Sequence, residues 1–301
     1  ADRRRDGCGM IDHSQNALGI VAGLLEARTG QKLTADRLWR VGTALSGVMR
    51  EKNLDSLEEL AARLNQPNQA LLAQQVVEAL LNNETYFFRD RAMFDQLMTG
   101  VLPALAERRQ GVRRLSIWSV GCSTGQEAYS LAMLFAEQPL RWNDWTIEIL
   151  GTDVARSVVM AAREGNFSQF QIQRGLGVAQ MVRFFEETRT GWRANETLRK
   201  MVRFEPHNLL DTPPEPGRFD LILCRNVLLY FDRPTRQRAF ERLASALAPE
   251  GRVMLGAGET TAGQTEILTP EKGATGFHHL AVGVPMRAAA YGGDRRLGGG
   301  R

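Results

Sequence analysis

Cysteine is scarce in this chain: Cys8, Cys122 and Cys224 are the three in 301 residues, and no two form a C-x-x-C pair. An odd, scattered set without a secretory leader fits reduced thiols and argues against a disulfide framework; Cys122 and Cys224 read as small buried packing residues. Histidine is nearly as sparse, with four residues and none at metal-ligand spacing, so no metal site is expected. No apolar run approaches membrane-spanning length, and Ala1-Asp-Arg-Arg-Arg-Asp6 lacks the apolar stretch of a signal peptide. The protein is therefore expected in the cytoplasm, without insertion into a membrane. Neither sign of charge dominates: 38 Lys and Arg against 34 Asp and Glu leave +4, too mild a balance to indicate nucleic acid. The basic residues are also dispersed, without the interleaved aromatics of a base-stacking platform.

What is present is ordinary globular composition, 43% hydrophobic and 24% charged, in a chain long enough for one large or two modest domains. The chain opens on Ala1, Met10 is a candidate natural start, and residues 1–9 are set aside as an appended stretch or loop. From Asn16 to Leu81 apolar residues recur at helical spacing: Leu18, Val21, Leu24 and Leu25, then Leu38, Val41, Leu45 and Val48, then Leu57, Leu60 and Leu64, then Leu71, Leu72, Val76 and Leu80. Breaks are expected at Thr29-Gly30 and Gln66-Pro67-Asn68. A small all-helical domain over residues 10–85 follows from this pattern.

From about Asp90 strand and helix alternate. Strands are expected at 115–120, 146–151, 201–205, 219–224 and 252–257, and helices at 91–108, 125–137, 154–163, 176–185 and 233–247. The alternation predicts an α/β fold, a doubly wound, mostly parallel sheet with helices on both faces, over residues 86–285. Residues 187–204 interrupt it as a hairpin with turns at Thr190-Gly191 and Ala194-Asn195, and the glycine-rich 286–301 reads as a flexible tail.

The first βαβ unit carries the chemistry. Leu115–Val120 runs into Gly121-Cys-Ser-Thr-Gly125, a helical pattern follows, and Thr146–Gly151 ends at Asp153. A dinucleotide fingerprint needs G-x-G-x-x-G, and the middle glycine is missing here, so pyrophosphate is not the expected guest. S-adenosylmethionine has no phosphate. Its carboxylate suits the amides at the start of the helix after Gly125, and Asp153 can accept from the ribose hydroxyls. Taken alone, the segment also suits a plain strand-turn-helix with a surface acid.

Five segments in order extend this reading. Asn83-Glu-Thr-Tyr-Phe-Phe-Arg89, Gly121-Cys-Ser-Thr-Gly-Gln-Glu-Ala-Tyr-Ser130, Gly151-Thr-Asp153, Phe204-Glu-Pro-His-Asn-Leu-Leu210 and Phe219-Asp-Leu-Ile-Leu-Cys-Arg-Asn-Val-Leu-Leu-Tyr-Phe231 together resemble the CheR-type chemotaxis-receptor methyltransferases. The resemblance implies an S-adenosylmethionine-dependent enzyme that esterifies glutamates on the cytoplasmic helical bundle of a bacterial chemoreceptor, leaving S-adenosylhomocysteine. It implies a small antiparallel β-subdomain, matched to residues 187–204. It also implies cofactor contacts from Asn83, Thr85, Arg89, Gly121, Gln126, Glu127, Asp153, Asn208, Leu209, Arg225 and Asn226. Gln126 stands where the family commonly has an acid, so a charge contact to the cofactor ammonium is missing there.

Methyl transfer to a carboxylate needs no general base, because a glutamate is already ionised at neutral pH. Tyr230 is the residue expected beside the transferring methyl, with Arg89 as its catalytic companion. Arg37, Arg40 and Arg50, with Lys52, are expected to give one helix a basic face for docking an acidic receptor bundle. The hairpin loop is short, which predicts recognition independent of a receptor-tail pentapeptide, by a monomer. The competing readings are a non-catalytic, cofactor-binding regulatory or scaffold relative, and a methyltransferase acting on nucleic acid or a small molecule.

Overall fold

The computed structural model describes residues 6–215 and 217–283, and among residues 6–14 and at Asp36 the backbone alone. The tail expected at 286–301 and the side chain of Cys8 lie outside the described residues. No helix among them is long and apolar enough to cross a membrane.

The first five helices are α1 (Asp6–Thr29), α2 (Ala35–Leu38), α3 (Val41–Glu51), α4 (Leu57–Leu64) and α5 (Ala70–Leu80). Val21, Leu25, Val41, Leu45, Leu60, Leu72, Val76, Val77 and Leu80 meet in one apolar cluster. The helical spacing predicted most of these positions. At Leu71-Leu72 only the second is buried, and Leu71 is 70% exposed, because neighbours on a helix point about 100° apart. Ser56 caps α4, its hydroxyl accepting from Glu59 N at 3.2 Å.

The remaining helices are α6 (Arg91–Gln96), continued through a π-helical turn at Leu97–Val101 into α7 (Leu102–Arg109), then α8 (Gln126–Ala136), α9 (Pro139–Trp142), α10 (Arg156–Glu164), α11 (Gln169–Gln173), α12 (Val178–Phe184), α13 (Glu196–Met201) and α14 (Arg233–Ala246). They surround strands β1 (Arg114–Val120), β2 (Thr146–Asp153), β3 (Asn166–Phe167), β4 (Phe185–Thr188), β5 (Gly191–Ala194), β6 (Val202–Pro206), β7 (Phe219–Cys224), β8 (Leu247–Leu255), β9 (Leu268–Pro270) and β10 (Phe277–Leu280). The large sheet has the order β6-β2-β1-β7-β8-β10-β9. Its first five members are parallel, and β10 and β9 close the edge antiparallel.

β1 and β7 are buried along nearly their whole length, as a sheet covered on both faces requires. One face packs under α6 to α8 around Phe94, Leu131 and Ile149, and the other under α14 around Trp118, Phe240 and Leu243. Chain order runs outward from β1 to β2 and β6 on one side and to β7 and β8 on the other. The gap between β1 and β7 is thus the switch point, where such sheets open a ligand crevice.

Three expectations differ from the structure. The hairpin is β4–β5, residues 185–194 rather than 187–204, and β3 adds a third strand beside β5. Asn195 is no turn: its side chain accepts from Leu198 N at 3.1 Å and caps α13. Nor do Arg37, Arg40 and Arg50 share a helix. Arg37 lies on α2, Arg40 precedes α3, and Arg50 is in its last turn.

Candidate functional site

A cleft of about 940 Å³, open mouth included, lies over the carboxyl ends of β1, β2 and β7. Its walls bring together Asn83, Thr85, Arg89, Gly121, Glu127, Asp153, Asn208, Leu209, Arg225, Asn226 and Tyr230 from five separate stretches of chain. Gln126 is not among them. It is 1% exposed, and its Oε1 accepts from the Thr124 hydroxyl at 2.7 Å. α8 is buried on almost every side, so its first residue turns into the protein and its second, Glu127, faces the cleft.

The floor is built by backbone geometry. Gly121 has φ +66, and a Cβ there would stand 2.5 Å from Val227 Cγ2, so no side chain fits between the β1 and β7 loops. Ser123 is also left-handed, at φ 50, which turns its N–H toward Asp153 Oδ2 at 2.9 Å. Asp153 Oδ1 accepts from Ala155 N at 3.0 Å. Burial pushes this carboxyl above its usual range, while the backbone donors pull the other way. The Ser123 hydroxyl donates to Asn83 O at 2.7 Å and fastens the Asn83–Arg89 loop over the glycine turn.

Arg225 behaves differently from the other walls. Its side chain is 2% exposed; Nη1 donates to Glu127 Oε2 at 2.9 Å, and Nη2 donates to Asp90 Oδ2 at 2.7 Å and to Arg89 O at 2.6 Å. Glu127 Oε1 accepts the Ser119 hydroxyl at 2.7 Å. The guanidinium charge is therefore taken up by this buried network, which ties the ends of β1 and β7 to the Arg89–Asp90 turn. Ser123 and Asn226 at the cleft, and Phe88 and Asp90 in the turn behind it, are all left-handed non-glycine residues. Such conformations persist only where the surroundings enforce them.

At the mouth, Tyr230 Oη accepts from Asn82 Nδ2 at 2.8 Å, and the Arg37 guanidinium lies 5.1 Å from the ring centroid. Arg37 Nη2 donates to Leu80 O at 3.1 Å. Arg37 and Arg40 line a neighbouring groove, whereas Arg50 stands one α3 length away, about 15 Å. Arg89 Nη1 donates to Glu84 O at 3.1 Å, and its guanidinium is 5.6 Å from the Tyr86 ring centroid. Asn208 Nδ2 donates to Arg28 O at 3.0 Å, and its Oδ1 accepts from Leu210 N at 3.0 Å. His207 also lines the cleft, and burial lowers its pKa.

From the sequence, no site role was expected of Asn82, Asp90, Ser119 or Ser123. Asn82 and Asp90 flank the quoted Asn83–Arg89 stretch, and Ser123 lies inside the glycine loop, so adjacency could have found three of the four.

Residues 83–277 match the family described as CheR methyltransferase, SAM binding domain. The chain is 36% identical over 239 residues to chemotaxis protein methyltransferase 1 of Pseudomonas aeruginosa, covering 78% of this chain and 86% of that protein. It is 33% identical over 243 residues to chemotaxis protein methyltransferase Cher2 of Pseudomonas putida, covering 79% and 88%. With the chemotaxis protein methyltransferase of Borreliella burgdorferi it shares 30% identity over 263 residues, 85% and 92% of the two chains.

Proposed function

The chain belongs to the CheR methyltransferase family and uses S-adenosylmethionine; from that premise we propose that it methylates glutamate side chains on the cytoplasmic helical bundle of a bacterial chemoreceptor, giving glutamate methyl esters. The observation that carries this reading is the joining of Asp153 and Tyr230 in one cleft at the switch point. One offers a buried carboxylate at the nucleoside end, the other a hydroxyl at the open end.

The donor set suits the cofactor. Asp153 keeps lone pairs for two ribose hydroxyls, Leu209 and Asn208 offer an apolar face and an amide for the base, and Arg89 can meet a carboxylate. Asn83, Thr85 and Asn226 would supply further polar contacts, Gly121 would let the backbone come close, and the lone pairs that Glu127 keeps beyond its Ser119 and Arg225 bonds would face the ammonium. Arg225 works through its buried ion pairs, and Gln126 through the Thr124 contact. Bound S-adenosylmethionine supplies an electrophilic methyl group. Since Tyr230 Oη accepts from Asn82, its own proton is free to be donated to an arriving carboxylate, which orients the acceptor. The remaining contribution is positioning and exclusion of water by the walls.

We assign docking to the helical region, about residues 10–85, and transfer to about 86–285. Arg37, beside Tyr230, and Arg40, in the adjoining groove, offer positive charge to an acidic bundle, with Arg50 farther along α3. The tight turn between β4 and β5 supports recognition without a tail pentapeptide, and we propose that the protein acts as a monomer in the cytoplasm.

Incubating the protein with receptor-bearing membranes and S-adenosylmethionine labelled in the methyl group should yield label that base releases as methanol. Label that survives base would overturn the ester assignment. Intact cofactor binding with no label in any receptor would favour the non-catalytic relative.

A further inference from the structure

Behind the cleft wall, in the loop after β8, lies a carboxylate that the site described above does not use. Glu259 accepts four backbone N–H groups: Val227 N at 2.9 Å and Leu228 N at 2.8 Å on Oε1, Asn226 N at 2.9 Å and Gly256 N at 2.8 Å on Oε2. Three of these donors are consecutive and lead directly into the 3-10 turn Leu228–Tyr230. The N–H groups that open a helical turn have no partner within it, and a charged acceptor satisfies them with the stronger class of hydrogen bond. Asn226 needs such support, since it is held at φ 59. Val227 beside it fills the space left by Gly121, so the same clamp sets both the floor of the cleft and the start of the Tyr230 turn.

We infer that Glu259 is a positioning residue: its carboxylate holds Asn226, Val227 and Leu228 and thereby aims the Tyr230 hydroxyl into the cleft, an inference that rests on the role proposed for Tyr230. Tyr230 is anchored on its other side by Asn82 and Arg37, both from the helical region. Glu259 is the corresponding anchor from the sheet side. Its substitution should therefore act mainly on turnover through Tyr230, with a smaller effect on cofactor affinity through Asn226 and Val227 in the cleft wall and none on receptor binding.

The test uses the full chain, with turnover read from labelled methyl transfer to receptor membranes and cofactor affinity from calorimetry with S-adenosylhomocysteine. Glu259→Gln keeps the size of the side chain but turns an NH2 group against backbone donors. It is expected to lower kcat by roughly 10- to 100-fold while KM for receptor stays within about threefold and the S-adenosylhomocysteine Kd rises by less than kcat falls. In a Tyr230→Phe background the same change should cost less than about threefold more, because both act through one group. A merely destabilising change would multiply with Tyr230→Phe instead.

Gly256→Ala is the second probe. The added Cβ would stand 2.8 Å from Glu259 Oε2 and 3.0 Å from Asn226 N, displacing the clamp without removing its charge, and kcat should fall in the same way. Glu259→Gln turning over at the wild-type rate, or multiplying its effect with Tyr230→Phe, overturns the inference. If Glu259→Gln does not fold, Gly256→Ala decides: wild-type kcat overturns the clamp and a selective loss of kcat upholds it. Tyr230→Phe at the wild-type rate removes the role of Tyr230 and the clamp with it. A slow Tyr230→Phe beside a normal Glu259→Gln removes the clamp alone.

Discussion

Individual side chains divide into those spent on the protein itself and those free for a guest. Arg225 and Glu127 spend most of their capacity on each other, Asp90 and Ser119, whereas the proton on Tyr230 Oη is uncommitted. Losing one hydrogen bond to an ionised group costs about 1.5–3 kcal/mol, so Tyr230→Phe should lower kcat roughly 10- to 100-fold. The same variant should bind S-adenosylhomocysteine with Kd within about threefold of wild type by calorimetry. That Asp153 and Tyr230 line the cleft was legible because each ends a segment of strong local pattern. Gln126 was legible as a motif position but not as a buried side chain, because its orientation depends on how α8 packs. Glu259 carried no local signal, lying 31 to 33 residues from three of the groups it holds.

At the level of elements, the central parallel strands β1 and β7 were readable from their largely apolar runs. β9 and β10 were not: Leu268-Thr-Pro270 and Phe277-His-His-Leu280 are short and polar, and Pro270 fits only at a sheet edge. The basic surface of the helical region also looked simpler in one dimension, since Trp39-Arg40 breaks the expected helix. Charge reversal at Arg40 and Arg50, Arg40→Glu with Arg50→Glu, should raise KM for receptor by roughly tenfold with cofactor affinity unchanged. An unchanged KM would remove docking from these positions. For the β4–β5 hairpin, calorimetric titration with a receptor-tail pentapeptide should give no binding at micromolar concentration, and a micromolar Kd would contradict the proposed mode of recognition.

Over the whole molecule, the helical region is stitched to the sheet beside Tyr230. Gln31 bridges Phe231, Lys32 N donates to Tyr230 O at 3.1 Å, and Lys32 Nζ pairs with Asp232 Oδ2 at 3.0 Å. Asp232 also caps α14 by accepting from Thr235 N at 2.9 Å. Hydrogen bonds from Thr235 and Lys32 hold its carboxyl down from 3.8 to about 2. A depressed carboxyl stabilises the fold fully above its ordinary value and loses that contribution as pH falls toward the depressed one. The gap in thermal midpoint between wild type and Asp232→Asn should therefore be widest near neutral pH and narrow from about pH 4 to about pH 2.5. A gap that stays constant across that range would show that the ionised Asp232 carboxylate, with its Thr235 and Lys32 partners, does not contribute.

The sequence by itself determined the strand and helix alternation, the parallel sheet that follows from it, and the glycine turn and strand-end acid, Gly121 and Asp153, that line the cleft. Periodicity, glycine turns and strand-end acids act within a few residues of one another, so they can be read locally. Only the tertiary structure decided which polar groups remain available there. Arg225 meets Glu127 and Asp90 across 98 and 135 residues, and pairings at that range are set by the packing that brings β1 and β7 side by side.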